Sequence, residues 1–224
     1  MFEKKTTADY IYETIRNDIV ELRYKPGEKL SEVQLAQRYK VSRAPVRDSL
    51  NRLEREGLVV VRPQIGTIIS PISPRKIIDI CQVRLLLEPY AAGVAAERIT
   101  EAEKRELARH FDALLNGGAE GEERRALVFE ADTMLHQTIW TLCGNKEIYS
   151  ILSGYRDEIR RTRLATANFA NRLPLSEQET VTIYKTLMDR DAEAARKAMQ
   201  QHISNLAEAA RQVFQGNEDM IEEA

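Results

Sequence analysis

The sequence predicts a mainly α-helical protein in two parts: a winged helix-turn-helix over residues 1–73 and an all-helical bundle over residues 74–224. Apolar residues recur at helical spacing along almost the whole chain. Two short β-branched segments, residues 58–62 and 67–70, lie on either side of a single Gly-containing turn. Two prolines in four residues, Pro71-Ile72-Ser73-Pro74, then separate that hairpin from everything downstream.

The elements follow in order. Residues 7–22 place Ile11, Ile15, Ile19 and Leu22 on one helical face, and Lys25-Pro26-Gly27 stops the pattern. Ser31 is a good N-cap for a short helix to Tyr39, with Leu35, Ala36 and Val33 available for packing. After Tyr39-Lys40-Val41-Ser42, a third helix opens at Ser42 with Pro45 in its first turn and closes at Gly57. Its buried stripe is Val46, Leu50 and Leu53, while Arg43, Arg47 and Asn51 share another face one turn apart. Pro63-Gln64-Ile65-Gly66 joins the two strands. Beyond Pro74, six helices are predicted: 75–97, 100–116, 122–143, 145–168, 176–189 and 192–214, with Gly117–Gly121 as a loop and 215–224 as a frayed acidic tail.

Composition narrows the class. With 43% hydrophobic and 30% charged residues, the chain can bury a core and is not a disordered polyelectrolyte. No apolar run approaches the roughly 20 residues that span a bilayer, and the start lacks a secretory h-region, so a cytoplasmic protein with no membrane partner is expected. Cys81 and Cys143 sit among apolar helix formers and read as buried thiols. The net charge of −2 hides an asymmetry: residues 1–71 carry +3 and the remainder −5. A basic head on an acidic body suits a polyanion partner for the head.

The head carries donors for such a partner. The third helix would present Arg43 and Arg47 to base edges, with Ala44 and Asn51 on the same helix. Lys40, Ser42 and the helix N-terminus suit phosphate, as does Arg38 before the turn; Gln64 and Gly66 lie on the hairpin.

These residues resemble the GntR family of bacterial transcriptional regulators: Lys25-Pro26-Gly27-Glu28-Lys29-Leu30-Ser31-Glu32, Leu35-Ala36, residues 41–50 (VSRAPVRDSL), Leu53 and Glu56-Gly57-Leu58. The resemblance implies double-stranded DNA as partner, Arg43 and Arg47 as its readers and Gly66 at a wing tip. Many relatives carry Arg before that glycine, where this chain has Ile65. From about Ile77 onward the chain is similar to the all-helical FCD effector domain of the FadR subfamily. That similarity rests on Arg84 with Glu88, Asp132-x-x-x-His136, Gly144-Asn145, Arg161-x-Arg163, Asp191 and His202.

Asp132 and His136 are i, i+4 on one helix and can address one point, with His202 as the third member. By the resemblance, metal-binding relatives have a further His 22 residues before the last ligand, where this chain has Thr180, a poor ligand for zinc or nickel. Glu179 and Gln178 are the neighbouring donors. The three residues either hold a divalent transition metal such as Zn or Ni or form a buried polar cluster without one. Arg84, Arg161 and Arg163 could pair with the carboxylate of an organic or sugar acid effector, although arginines in helical proteins usually face solvent. Trp140, Tyr149, Tyr155 and Met134 read as core.

The expected function is a ligand-responsive DNA-binding regulator, with a repressor as the expected polarity, that reads a near-palindromic operator as a homodimer. No nucleophile elbow, paired general base or Gly-rich phosphate loop is present, so an enzyme is not expected.

Overall fold

The computed structural model describes residues 6–167 and 172–215. The expected 215–224 tail therefore falls almost entirely outside the described residues, as does the end of the helix expected over 145–168. The described residues form twelve elements: α1 (Thr7–Val20), α2 (Glu32–Tyr39), α3 (Arg43–Arg55), β1 (Val59–Arg62), β2 (Gly66–Ile69), α4 (Pro74–Arg98), α5 (Glu101–Asn116), α6 (Gly121–Cys143), α7 (Lys146–Gly154), α8 (Arg156–Thr166), α9 (Arg172–Met188) and α10 (Ala192–Gln215). The mainly helical class with one hairpin holds. Two compact units result: residues up to Ser73 together with Asp157–Ala165, and the rest of the chain.

In the first unit, Ile11, Ile15, Ile19, Leu35, Val46, Leu50, Leu53, Leu58 and Ile69 form a continuous core. Val33 is exposed instead of packed. Helix α1 begins with a capping box between Thr6 and Asp9. It ends two residues before the expected Leu22, because the Arg23 and Tyr24 amides close on the Asp18 carbonyl and Leu22 turns to φ 54°. Ser49, fully buried, donates to both the Ala8 and Pro45 carbonyls and so ties α3 to α1.

Strands β1 and β2 pair antiparallel from Val59↔Ile69 to Arg62↔Gly66. The tip needs two left-handed residues, Gln64 (φ 64°) and Gly66 (φ 98°). A further edge was not expected: Lys29 bridges Ile68, the Leu30 amide donates to the Thr67 carbonyl, and the Ile69 amide donates to the Glu28 carbonyl. The Pro26-Gly27 signal marks both the end of α1 and the entry of this strand-like segment.

The second unit is a helical bundle in which α4 packs chiefly on α10 and α6. Pro89 lies inside α4 without ending it. One expected helix is corrected: within the span 145–168, the described residues form two helices, Lys146–Gly154 and Arg156–Thr166, since the chain turns at Gly154-Tyr155 and the Tyr155 amide closes on the Leu152 carbonyl. Helix α9 starts four residues before the expected Ser176, with Pro174 in its first turn. Cys81 and Cys143 are free and buried, as expected.

Candidate nucleic-acid interface and metal centre

In the first unit, the turn between α2 and α3 is closed by Lys40 in the left-handed conformation, whose amide donates to the Ala36 and Gln37 carbonyls. Ser42 occupies the N-cap of α3 with extended backbone, but its hydroxyl makes no capping bond. Ser42, Arg43, Ala44, Arg47 and Asn51 are all exposed along α3, and Gln64 is exposed at the hairpin tip. Arg38 is turned toward Tyr24, donating to its hydroxyl at 2.8 Å, with Asp18 at 3.7 Å.

Both α3 arginines meet one carboxylate that sequence reasoning did not single out. Arg47 donates Nε to Glu32 Oε1 at 3.2 Å and Nη2 to Oε2 at 3.0 Å; Arg43 Nη2 reaches Oε2 at 3.2 Å. Glu32 is the first residue of α2, where a negative charge also suits the helix dipole. The bond from Arg47 holds its carboxyl below the usual carboxylate range.

In the second unit, Asp132 and His136 on α6 and His202 on α10 converge as expected. One ligand atom from each lies within 4.8 Å of the others, and all three residues are buried. Each imidazole is held from behind. His136 Nδ1 is 2.5 Å from Glu88 Oε2, whose carboxylate also accepts from Arg84 Nε and, at 3.2 Å, from Trp140 Nε1. His202 Nδ1 is 2.9 Å from Glu179 Oε2, and Arg172 forks onto the same carboxylate at 2.7 and 2.9 Å.

Burial opposes ionisation of both carboxylates, yet Arg84 and His136 keep Glu88, and His202 and Arg172 keep Glu179, below the ordinary range. Burial lowers the pKa of His202, favouring neutral imidazole. Ionised carboxylates at Nδ1 fix the protons there and leave the Nε2 lone pairs directed into the site. The two Nε2 atoms are only 3.4 Å apart, with Asp132 oxygens 3.5 Å from His202 and 3.7 Å from His136. Two lone pairs and a carboxylate facing each other repel, so this donor set fits a cation.

Thr180 does not substitute for an imidazole in the same way: its hydroxyl donates to Asp132 Oδ1 at 3.1 Å. Gln178 is exposed, and Glu179 acts on His202 from behind. Trp140 is buried but also serves as a donor to Glu88, whereas Tyr149 is exposed and Tyr155 half-buried, against the core expectation. Met134 is half-buried and, with His110, lines a separate open cleft of about 290 Å³ between α5 and α6.

The three arginines are all buried, contrary to the solvent-facing norm. Arg84 joins the Glu88 network, and its Nη1 has no hydrogen-bond partner among the described residues. Arg161 and Arg163 sit on α8 and so belong to the first unit, where Arg161 Nη2 donates to the Ser70 carbonyl at 2.6 Å.

Comparison with known proteins places both parts of the chain in known families. Residues 7–69 match the bacterial regulatory proteins of the gntR family, and residues 79–205 match the FCD domain. The HTH-type transcriptional repressor RspR of Escherichia coli K12 is 29% identical over 215 residues, covering 95% of this chain and 92% of that protein. The Nta operon transcriptional regulator of Aminobacter aminovorans is 27% identical, covering 88% and 91%. A GntR regulator from Rhodococcus sp. RHA1 shares the fold at TM-score 0.76 and 20% identity, covering 94% of this chain and 99% of its own. Escherichia coli McbR/YncC does so at 0.70 and 19%, covering 92% and 99%. Helix-turn-helix, hairpin and helical bundle thus stand in the order of a known class of gene regulators, and the chain belongs to the GntR family with an FCD C-terminal domain.

Proposed function

We propose that this protein is a ligand-responsive, DNA-binding transcriptional repressor that acts as a homodimer on a near-palindromic operator. The observation that carries the reading is the exposed Arg43–Arg47 pair on one face of α3, directly after the turn that follows α2. Guanidinium groups one helical turn apart can each address a base edge in the major groove, while Lys40, Ser42 and the α3 N-terminus position the helix against phosphate. Two copies double the few base contacts that one such module offers. Among described residues no helix is long and apolar enough to cross a membrane.

For the effector, the support is the buried site on α4, α6, α9 and α10. Asp132, His136 and His202 would hold a divalent transition metal, which when bound supplies a Lewis-acidic anchor for a carboxylate. Glu88 and Glu179 orient the two imidazoles, and Arg84, whose Nη1 has no hydrogen-bond partner among the described residues, is the chain's own arm for an anionic group. A small organic or sugar acid that binds one arrangement of the protein better than another shifts DNA affinity by that difference.

The test is a mobility-shift titration on the region upstream of the protein's own gene at two salt concentrations. The expected outcome is binding that weakens steeply with salt and is lost by tenfold or more in Arg47→Ala, in line with about 1–3 kcal/mol for a good bidentate base contact. Equal binding by parent and variant, or no salt dependence, removes the reading.

A further inference from the structure

We propose that Glu32 is a positioning residue for DNA reading: its carboxylate buttresses Arg47, and with it Arg43, for a guanine in each half-site while lowering attraction to DNA of any other sequence. The inference rests on the assignment of Arg43 and Arg47 as the base-reading pair. A guanidinium offers two forks, the Nε/Nη2 side and the Nη1/Nη2 end. Glu32 takes the side fork of Arg47 through both of its oxygens, at 3.2 and 3.0 Å. The end fork is left over, and its paired N–H groups match the O6/N7 edge of guanine in the major groove.

The carboxylate is itself held. It stands at the first turn of α2, and its side chain is 26% exposed against 57% for Arg47 and 60% for Arg43. Arginine otherwise loses much rotamer freedom when it docks, and an anchor set beforehand removes part of that loss for the correct base. The same negative charge lies 3.0–3.2 Å from nitrogens of both cations on a surface meant for a polyanion. It therefore subtracts from phosphate attraction at every site, matched or not. Glu32 should thus act with opposite sign on matched and unmatched DNA.

The opposite sign is what an experiment can read. Full-length parent protein would select a duplex from a pool of random 30-base-pair sequences, and affinities would be compared for that duplex and a scrambled version. For Glu32→Gln, the selected duplex is expected to bind about tenfold more weakly and the scrambled one several-fold more tightly. Glu32→Asp keeps the charge but shortens the reach, so it should weaken only the selected duplex. In an Arg47→Ala background, Glu32→Gln should no longer weaken the selected duplex but tighten both duplexes several-fold alike. A general loss of folding would lower both affinities together, and a thermal melt of each variant identifies it. The inference is overturned if Glu32→Gln leaves the ratio of the two affinities unchanged, or changes it equally with and without Arg47. If the parent enriches no duplex at all, the base-reading assignment itself falls, and this inference with it.

Discussion

Glu88 shows how one residue can decide what its neighbours are able to do. With no solvent exposure, it divides its oxygens between the Arg84 guanidinium on one side and His136 and Trp140 on the other. An ionised carboxylate there places the proton of His136 on Nδ1 and leaves the Nε2 lone pair facing Asp132 and His202, free to ligate a cation. Protein purified without chelator should therefore carry about one transition-metal ion per chain by elemental analysis, and His136→Ala should carry almost none. Glu88→Gln can no longer fix the imidazole as a carboxylate does, and should bind the metal about 10–100-fold more weakly in a competition titration. Equal and negligible metal in all three proteins would reduce the site to a polar cluster. The sequence makes Asp132 and His136 legible because i, i+4 spacing is local. Glu88 is visible only as a partner of Arg84, and the role of Trp140 as a hydrogen-bond donor is not visible, since the carboxylate and the rings it holds are 48 and 52 residues apart.

Among the elements, α1 has the most explicit local code. Thr6 accepts from the Asp9 amide at 3.1 Å, and Asp9 accepts from the Thr6 amide at 2.9 Å and from Arg52 at 2.6 Å. Arg52 also lies over the Tyr12 ring, 3.8 Å from its centroid, so the cap is joined to the packing of α1 on α3. The bonds from Thr6 and Arg52 pull the Asp9 carboxyl down to about 2 from 3.8. A depressed carboxylate stabilises the fold above its unfolded value and loses that contribution as the pH falls through the folded one. The stability gap between parent and Asp9→Asn in urea titrations should accordingly be full at pH 5 and close between pH 4 and 2. A gap unchanged over that window would mean that the cap owes nothing to the charge. Caps, prolines and the 3.6 periodicity also make most other elements legible in sequence. The break between α7 and α8 is not, because Gly154 is tolerated in a helix and nothing within that segment favours a turn over continuation. The Lys29–Ile68 edge is hidden for a different reason: a bridge between segments 39 residues apart depends on how α2 and α3 place the hairpin.

At the scale of the whole molecule, the assignment of α8 is the least local feature. Its sequence lies deep in the second half of the chain, yet Asp157–Ala165 forms one compact unit with the winged helix. Arg16 pairs with Asp157 at 2.5 Å, Arg160 with Glu21 at 2.6 Å, and Arg161 donates to the carbonyl of Ser70, immediately before the proline-rich connection. The first two pairs are partly exposed and contribute little. Arg161 is different: it is fully buried, with Glu158 3.6 Å away, and desolvation pushes its pKa down. A charged donor on a carbonyl contributes about 1.5–3 kcal/mol, while burying the guanidinium works against that gain. Replacing Arg161 by Ala in the full chain leaves the Ser70 carbonyl without that donor and opens a void beneath α8. Native-state hydrogen exchange should then show protection in α1, α3 and the hairpin falling by about 10–100-fold, with α4, α6 and α10 little changed. Uniform loss over both units would make Arg161 a residue of global stability, and unchanged protection in the first unit would mean that α8 is not part of what holds the winged helix together.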